Sequence, residues 1–403
     1  MPQFGSKKNS AKPFGLRRGV PKRSSVEGGA NLNDALSGHG GRLAGSGHIA
    51  WFDYAKGICI ILVVMMHSTL GVGEAFAAKG LASEGFMHWV VAYAKPFRMP
   101  DFFMLAGLFL SFAINRSWMH YLDKKVVHFA YFYVIWTIIQ AAIKTAAIQG
   151  LDGAALASTF LGALINPYPT LWFIYVLPLF FVATKLLHGV PAWLMLAGAA
   201  IVHTLPIHSG WSAIDQFAAH YYVFFLGGYL LAPRIFKVAA WAGQNSGRAA
   251  ALIAVWALLN GAFAFCPSPL PGWSNLAELP VISIVLGGMG AMAIVLLASQ
   301  LSKFDAAPLI RYCGANSIVL YISFTIPMAF TRVLIVNTGV IDNTGVASLI
   351  VWLVAVTTPL MVHLALRRTP LRFLYERPSW AVLPYQQADQ SKVRVKTAVV
   401  APH

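Results

Sequence analysis

The sequence Trp51-Phe-Asp53-Tyr-Ala-Lys56-Gly-Ile-Cys-Ile-Ile-Leu-Val-Val-Met-Met-His67-Ser-Thr-Leu70 is an apolar stretch with three side chains that carry charge near neutral pH. About 20 such residues in a helix cross the hydrocarbon core of a bilayer, which is about 30 Å thick. At about 100° per residue, Lys56 and His67 project from one side of this helix, with Asp53 about 40° from His67. Charged groups at that depth usually face a protein interior or a watery cavity. The stretch therefore predicts a membrane helix with a functional site near His67.

The composition of the whole chain agrees with a membrane protein. Hydrophobic residues make up 58% and charged residues 11% of the 403 positions, whereas soluble domains carry about 25% charged residues. The apolar runs are continuous rather than alternating, so they predict an all-α polytopic fold with about ten membrane helices and not a β-barrel. The predicted spans are 51–71, 88–114, 126–148, 168–187, 191–207, 218–235, 249–266, 280–299, 313–336 and 346–366.

Basic residues predict how these helices are oriented. Lysines and arginines collect in the loops after the even-numbered spans, whereas the loops at 150–167, 206–217, 267–279 and 337–345 contain none. Cytoplasmic loops carry an excess of basic residues. We therefore predict a multi-pass membrane protein with both termini in the cytoplasm.

Much of the net charge of +16 lies near the two ends of the chain. We predict a disordered basic cytoplasmic tail at 1–48, an integral-membrane domain at 49–370 and a second basic cytoplasmic tail at 371–403. A basic segment beside a membrane gains about 1 kcal/mol per basic residue from anionic lipids. The expected partner of these tails is therefore an anionic bilayer rather than a nucleic acid.

The sequence lacks the motifs of several other enzyme classes. It has no P-loop, no dinucleotide glycine fingerprint, no HExxH zinc motif and no Gly-x-Ser-x-Gly nucleophile elbow. Its three cysteines show neither metal-ligand spacing nor a disulfide framework. We therefore expect no metal and no bound cofactor, and we interpret the cysteines as packing residues.

A second group of charged residues lies in the segment from Lys95 to Gly107, which contains two prolines. Arg98 and Asp101 are three residues apart, so they are able to pair across one helical turn. The prolines would interrupt the hydrogen bonding of a helix there. The pair either fixes packing or belongs to a functional site, since charges inside a membrane usually mark function.

Both segments resemble the integral-membrane acyltransferase 3 family, whose members acylate, and most often O-acetylate, sugars of cell-surface glycans. Each motif alone is weakly specific, but five occur in the family's order over most of the spanning region. They are Asp53-x-x-Lys56-Gly with Val64-Met-Met-His67, Phe97-Arg-Met-Pro100-x-Phe-Phe103-x-x-x-Gly107, Leu171-Trp172-Phe-Ile-Tyr175, Phe224-Phe-Leu-Gly-Gly-Tyr229 and Gly314-Ala-Asn316-Ser317-Ile-Val-Leu-Tyr321.

Three positions depart from the family's pattern. Lys56 stands where the family usually has an arginine before its histidine, and Lys125-Val-Val-His128 stands near its Arg-x-x-Arg motif. Phe324 stands where many members carry a further histidine. Lysine keeps the charge of arginine but lacks the planar fork that binds phosphate through two hydrogen bonds.

The resemblance and the chemistry of the residues together predict three sets of site residues. His67 is the expected base, because a sugar hydroxyl is a weak nucleophile and imidazole titrates near pH 6.5. Basic residues suit the phosphates of an acyl-coenzyme A, and aromatic, amide and hydroxyl groups suit a glycan. The catalytic set is His67, Asp53 and Lys56; the donor-binding set is Lys56, Arg98, Lys124, Lys125 and His128; the substrate-binding set is Asp101, Trp172, Tyr175, Asn316 and Ser317.

Several of these assignments have alternatives. Asp53 lies about 20 Å from His67 along one helix, so it is better placed to fix Lys56 than to orient the imidazole. The aromatic, amide and hydroxyl groups of the substrate set serve helix packing equally well. Three further histidines surround a predicted outer loop and are candidates for a substrate entrance: His203, His208 and His220.

The predicted function is transfer of an acyl group, most simply acetyl, from cytoplasmic acyl-coenzyme A to a hydroxyl of a cell-surface or periplasmic glycan. The alternative is a secondary transporter or flippase for a glycolipid or an anion. In that alternative His67, Lys56 and an Arg98–Asp101 pair form a proton relay. The two functions differ in whether the glycan changes in mass.

Overall fold

The structure is a computed structural model that describes residues 49–150 and 152–383. The predicted tail at 1–48, and the predicted tail beyond residue 383, lie outside the described residues. Within the described residues the chain is largely helical and forms no β-strand, apart from an isolated bridge between Pro267 and Asn275. The predicted all-α fold is confirmed.

Fifteen α-helices lie in the described part of the chain. They are α1 (Ala50–Ala77), α2 (Phe86–Leu110), α3 (Trp118–Leu122), α4 (His128–Gln149), α5 (Gly153–Ile165), α6 (Trp172–Leu186), α7 (Ala192–Thr204), α8 (Ala219–Leu230), α9 (Ala232–Gln244), α10 (Ser246–Phe265), α11 (Pro280–Lys303), α12 (Pro308–Ala315), α13 (Ser317–Ser323), α14 (Thr325–Thr338) and α15 (Thr344–Leu366). Two π-helical turns, Asp123–Val127 and Ala213–Ala218, precede α4 and α8. Short 3-10 turns lie at Leu276–Glu278, Pro370–Leu374 and Ser379–Ala381.

Five helical segments are long and apolar enough to cross a membrane: α1, residues 118–147, α10, α11 and α15. The number rises to seven if two bent pairs, α8 with α9 and α13 with α14, each form one span. Every one of the ten predicted segments contains a helix. The polytopic architecture is therefore confirmed, while the count of ten stays a prediction.

Local sequence features explain where the helices differ from the predicted spans. The predicted span 218–235 is not straight, because α8 ends at Leu230 and α9 leaves at 73°. Pro233 lies in the first turn of α9, and proline cannot continue the preceding helix. Helix α5 lies in a predicted outer loop; its start is capped by Asp152, whose carboxylate accepts a hydrogen bond of 2.9 Å from the backbone N–H of Ala154.

Glycines bring the helices that carry the predicted site residues into backbone contact. A Cβ on Gly314 of α12 would lie 1.7 Å from the Asp53 carbonyl oxygen of α1. A Cβ on Gly228 of α8 would lie 2.0 Å from the Met104 carbonyl oxygen of α2. Small residues at such contacts let membrane helices pack closely. These contacts hold α12 against α1 and α8 against α2.

We expect Gly228→Ala to lower both the yield and the thermal stability of the protein, because the added methyl group forces α8 away from α2. Overpacking of a core typically costs about 1–3 kcal/mol. Gly227→Ala is the matched control, since a Cβ there would meet no atom within 4 Å. Size-exclusion chromatography and thermal unfolding in detergent compare the variants, and equal stability would contradict the close α2–α8 contact.

Residues 371–383, at the start of the predicted C-terminal tail, pack against the π-helical turn before α4; we call them the C-terminal strap. Asp123 of that turn is fully buried, and its Oδ2 lies 2.7 Å from Nη2 of Arg377. Arg377 Nη1 also donates to the Asp123 carbonyl oxygen at 2.9 Å, and the Leu383 N–H donates to Asp123 Oδ1 at 3.0 Å. The strap thus fixes the turn that carries Lys125.

Candidate active site

A cavity of about 330 Å³ lies between α1, α2, α6, α13 and the π-helical turn before α4. Its polar lining consists of Lys56, Lys125, Ser317 and Tyr321, and six phenylalanine rings with five aliphatic side chains form the rest. Lys125 comes from a π-helical turn, a distortion that recurs at functional sites. We call this space the two-lysine cavity. It brings together Lys56, Lys125 and Ser317, which the sequence predicted as binding residues.

Lys56 is held in place by an ion pair within α1. Its Nζ lies 2.8 Å from Oδ1 of the buried Asp53 and 5.2 Å from the centre of the Phe52 ring. The expectation that Asp53 fixes Lys56 is confirmed. Both residues lie more than ten positions before His67 in the same helix, about 16 Å or more away. They are therefore placed to act on a bound donor and not on the imidazole itself.

The other predicted donor-binding residues do not line the two-lysine cavity. Lys124 is about half exposed, and its Nζ lies 4.0 Å from Oδ2 of Asp123. The His128 ring packs edge-on against Phe132, with ring centres 5.1 Å apart. Arg98 lies deeper in the helix bundle. The structure thus separates Lys125 from its two basic neighbours in the sequence.

His67 is partly buried on α1, and its ring centre lies 5.3 Å from that of Phe324. Phe324 is fully buried and stands at the position where the resemblance expects a second histidine. Tyr321, one turn earlier in the chain, lines the two-lysine cavity. Phe324 beside His67 and Tyr321 in the cavity lining are thus only three residues apart in the chain.

The predicted Arg98–Asp101 ion pair is wrong for the described structure. Helix α2 is continuous through both of its prolines, so the two side chains do have helical spacing. Asp101 is fully buried, and its Oδ2 accepts a hydrogen bond of 2.6 Å from the Cys59 thiol of α1. Arg98 is only 8% exposed and forms no ion pair with any described residue. The partner of Asp101 is therefore the Cys59 thiol and not the Arg98 guanidinium.

The predicted substrate-binding residues do not gather in one place. The Trp172 ring stacks on Phe217 at 4.0 Å, and the Tyr175 hydroxyl donates to the Leu164 carbonyl oxygen at 2.8 Å. The remaining members are spread over three settings: Asp101 beside Cys59, Asn316 donating to the Tyr312 carbonyl oxygen at 2.9 Å, and Ser317 in the two-lysine cavity. Trp172 and Tyr175 thus make packing contacts, and their role in substrate binding stays a prediction.

A second group of cavities lies at the other end of α2. Two adjoining cavities of about 220 and 560 Å³ share His203, His220 and Trp273, and His208 lines the larger one. We call them together the histidine recess. The three histidines noted in the sequence do lie together. Both ring nitrogens of His203 are hydrogen-bonded, to the His220 carbonyl oxygen at 2.7 Å and to the Ser283 hydroxyl at 2.8 Å.

The histidine recess also contains residues that sequence reasoning missed. Lys95 Nζ forms an ion pair of 2.5 Å with Oε1 of Glu278, and the Trp273 ring is 40% exposed beside it. Burial alone would raise the pKa of Glu278, but hydrogen bonds from Lys95 and Ser274 lower it below its usual value. The sequence did contain a signal for this site: the loop at 267–279 has no basic residue but carries one carboxylate, Glu278, and one tryptophan, Trp273.

Phe103 packs between a side chain that lines the two-lysine cavity and one that lines the histidine recess. Its fully buried ring lies 4.8 Å from the ring of Phe173, which lines the cavity, and 5.1 Å from that of Tyr221, which lines the recess. Phe103 therefore connects the linings of the two spaces.

The model of the acyltransferase 3 family, described as an acyltransferase domain, matches residues 49–366. The chain belongs to this family. It is similar to the inner membrane protein YcfT of Escherichia coli, with 25% identity over 158 residues that cover 34% of this chain and 43% of YcfT. It is also similar to the nodulation protein NolL of Sinorhizobium fredii, with 26% identity over 222 residues that cover 53% of each chain.

The chain spans about half the length of the curated relatives it matches. No solved structure matches it.

The motifs that resemble the acyltransferase 3 family converge in this fold. Gly314 touches the backbone of Asp53, and Gly107 touches that of Phe225, where a Cβ would lie 1.9 Å from the carbonyl oxygen. The Phe173 N–H donates to the Tyr321 hydroxyl at 3.0 Å. Motifs that are far apart in the sequence therefore build one continuous set of contacts around the two-lysine cavity and His67.

Proposed function

We propose that this chain is a membrane acyltransferase of a bacterial inner membrane, with both termini in the cytoplasm. In this proposal it moves an acyl group, most simply acetyl, from cytoplasmic acyl-coenzyme A to a hydroxyl of a cell-surface or periplasmic glycan. The observation that carries the proposal is the two-lysine cavity. One pocket there offers two cations and an apolar lining to a ligand that has phosphates at one end and an acyl thioester at the other.

The lining of the cavity supports a coenzyme A donor. Its volume of about 330 Å³ lies within the usual range for small-molecule sites, about 300–1,000 Å³. Lysine ammonium groups bind phosphates as point charges. Asp53 holds Lys56, and the Phe181 ring lies 4.8 Å from Lys125 Nζ. Both cations are thus positioned before a donor arrives, while the phenylalanine rings suit the pantetheine and acyl chain.

The histidine recess supports a glycan acceptor better than the predicted substrate set does. Trp273 offers an exposed ring, and the Lys95–Glu278 pair offers charged hydrogen-bonding groups beside it. An aromatic face packs against the C–H groups of a sugar, while a few placed polar groups fix its hydroxyls. His67 is the base in this proposal, and it serves whichever hydroxyl reaches it.

The transporter alternative has less support. Its proton relay needs an Arg98–Asp101 pair, whereas Asp101 is bonded to the Cys59 thiol in the described structure. Membership of the acyltransferase 3 family also favours group transfer over transport.

Inverted membrane vesicles, which expose the cytoplasmic face, test the proposal directly. Acetyl-coenzyme A labelled in its acetyl group should label the glycan in vesicles that contain the protein and not in vesicles that lack it. Mass spectrometry of surface glycans from a deletion strain should show the matching loss of acyl mass. Glycans that are unchanged in both experiments would exclude the proposal.

Lys125→Ala should raise the KM for acetyl-coenzyme A by about tenfold with little change in kcat, because one charged hydrogen bond contributes about 1.5 kcal/mol. Lys124→Ala is the matched control: it removes an adjacent cation that does not line the cavity, so KM should stay near the wild-type value. Steady-state kinetics in vesicles compare the two. An equal effect of both substitutions would mean that only general positive charge matters and that the cavity is not the donor site.

A further inference from the structure

Arg98 is a buried cation whose hydrogen bonds are not used. Its side chain lies in α2 with 8% of its surface exposed, and neither Nε nor Nη1 has a hydrogen-bond partner in the described residues. Burying an unpaired charge is costly, so such groups inside membranes are kept for function. The two free N–H groups point to an anion that is present only during part of the reaction cycle.

The packing of α1 against α2 brings Arg98 toward His67. Three contacts fix an antiparallel register: Gly73 with His88, Cys59 with Asp101, and Phe52 with Phe109. In this register Arg98 lies opposite residues 62–63, about 7 Å before His67 along α1. Side chains lean toward the N-terminus of their own helix, so in antiparallel helices these two lean toward each other.

The rotation of each helix leads to the same placement. Relative to the Cys59–Asp101 contact, His67 is turned by about 80° on α1 and Arg98 by about 60° on α2. Because both helices are right-handed and antiparallel, both turns lead to the same side of the helix pair. Lys95, one helical turn before Arg98 on α2, lines the histidine recess. Arg98 thus lies between the recess and His67.

We propose that Nε and Nη1 of Arg98 form the oxyanion site of this enzyme, an inference that rests on the proposed acyltransferase function. The acceptor hydroxyl oxygen bonds to the acyl carbon while His67 takes its proton, and the carbonyl oxygen becomes an oxyanion. Arg98 donates two hydrogen bonds to that oxyanion. The carbon–sulfur bond then breaks, the carbonyl re-forms, and the coenzyme A thiolate takes the proton from His67. Hydrogen-bond donors that are already positioned where negative charge develops stabilise the transition state more than the substrate.

This role differs from the donor-phosphate contact that the sequence suggested for Arg98. The two lysines of the donor cavity include Lys56, which lies about 10 Å before the Arg98 level along α1. A phosphate contact holds the donor before and during the reaction and so affects KM. An oxyanion contact forms only in the transition state and so affects kcat.

The test measures kcat and KM of Arg98→Gln and Arg98→Lys with labelled acetyl-coenzyme A in vesicles. We expect Arg98→Gln to lower kcat by about 10²–10³-fold with KM nearly unchanged, the usual effect of losing an oxyanion donor. Arg98→Lys, which keeps the charge without the fork, should retain an intermediate kcat. Arg332→Gln is the control, because Arg332 is a second arginine near α1 whose Nη1 donates to the Gly71 carbonyl oxygen at 3.3 Å. Its kcat should stay close to wild type.

Hydrolysis of acetyl-coenzyme A by water, measured without glycan, makes the test specific. Loss of an oxyanion site lowers hydrolysis and glycan transfer in parallel, since the oxyanion forms with either acceptor. A raised KM with normal kcat, a loss of transfer alone, or wild-type kinetics in Arg98→Gln would each overturn the inference. If the wild-type protein itself fails to transfer acetyl groups, the proposed function fails instead. If Arg98→Gln does not fold, the kcat and KM of Arg98→Lys test the inference instead.

Discussion

His67→Ala is expected to lower acyl transfer by at least about 100-fold, the usual contribution of a general acid–base group. The protein should still insert and fold. The imidazole is partly exposed within the structure and packs on one face against Phe324 at 5.3 Å, so its loss removes a base without emptying a tightly packed core. Glycan acylation normalised to the amount of membrane protein measures this effect.

His67→Gln separates a catalytic from a packing role. Glutamine keeps much of the size and hydrogen bonding of histidine but takes up no proton near neutral pH, so this variant should be nearly as inactive as His67→Ala. His88→Gln serves as the control, because His88 lines neither the two-lysine cavity nor the histidine recess and its Nδ1 accepts a structural hydrogen bond of 3.2 Å from the Gly85 N–H. It should lower protein yield more than activity per molecule. An active His67→Gln enzyme would contradict the assignment of His67 as the catalytic base.

Arg377→Ala should destabilise the protein by about 3–5 kcal/mol, because it leaves a carboxylate buried without its main cation. The side chains of Arg377 and Asp123 are 5% and 0% exposed, so little solvent screening weakens this pair. The same change should raise the KM for acetyl-coenzyme A, since the π-helical turn held by the pair carries Lys125. Thermal unfolding in detergent and donor kinetics in vesicles measure the two effects.

Two further variants make this result specific to the ion pair. Arg372→Ala removes an exposed arginine from the same C-terminal strap and should leave stability nearly unchanged. The double change Asp123→Leu with Arg377→Met removes both charges and should recover much of the stability lost in Arg377→Ala, because no unpaired buried charge remains. A double variant as unstable as Arg377→Ala would show that shape rather than charge pairing matters there.

The membrane helices could be predicted from the sequence because each depends on its own apolar run. Burial of backbone groups in lipid requires helical hydrogen bonding wherever such a run crosses the membrane. The bend at Leu231 was also encoded locally, by Pro233, but hydropathy averaged over a span does not register a single proline. Helix α5 was missed because its apolar residues lie in a segment that the charge pattern assigned to a loop.

The site was predictable only within single helices. The Asp53–Lys56 pair followed from spacing along α1, and the structure contains it. The pairing of Asp101 with Cys59 did not follow, because it depends on how α1 and α2 pack. The same holds for which of Lys124 and Lys125 lines the cavity, because that depends on how the turn bound by the distant Arg377 packs against the other helices. The sequence pattern along single helices does not predict which side chains from different helices line the same cavity.

The Phe103 ring, which packs between the linings of the two-lysine cavity and the histidine recess, bears on the energy supply of the cell. If each substrate stays on its own side of Phe103, the acyl group passes one way and the proton of the acceptor hydroxyl passes the other way through His67 to the coenzyme A thiolate, so the exchange moves no net charge. Every charge that leaked through would dissipate about 2.3 kcal/mol per 100 mV of membrane potential. A partition formed by the Phe103 ring would favour short acyl groups, because a long chain would have to displace the ring. The partition would thus let glycans be decorated without running down the proton gradient that drives ATP synthesis.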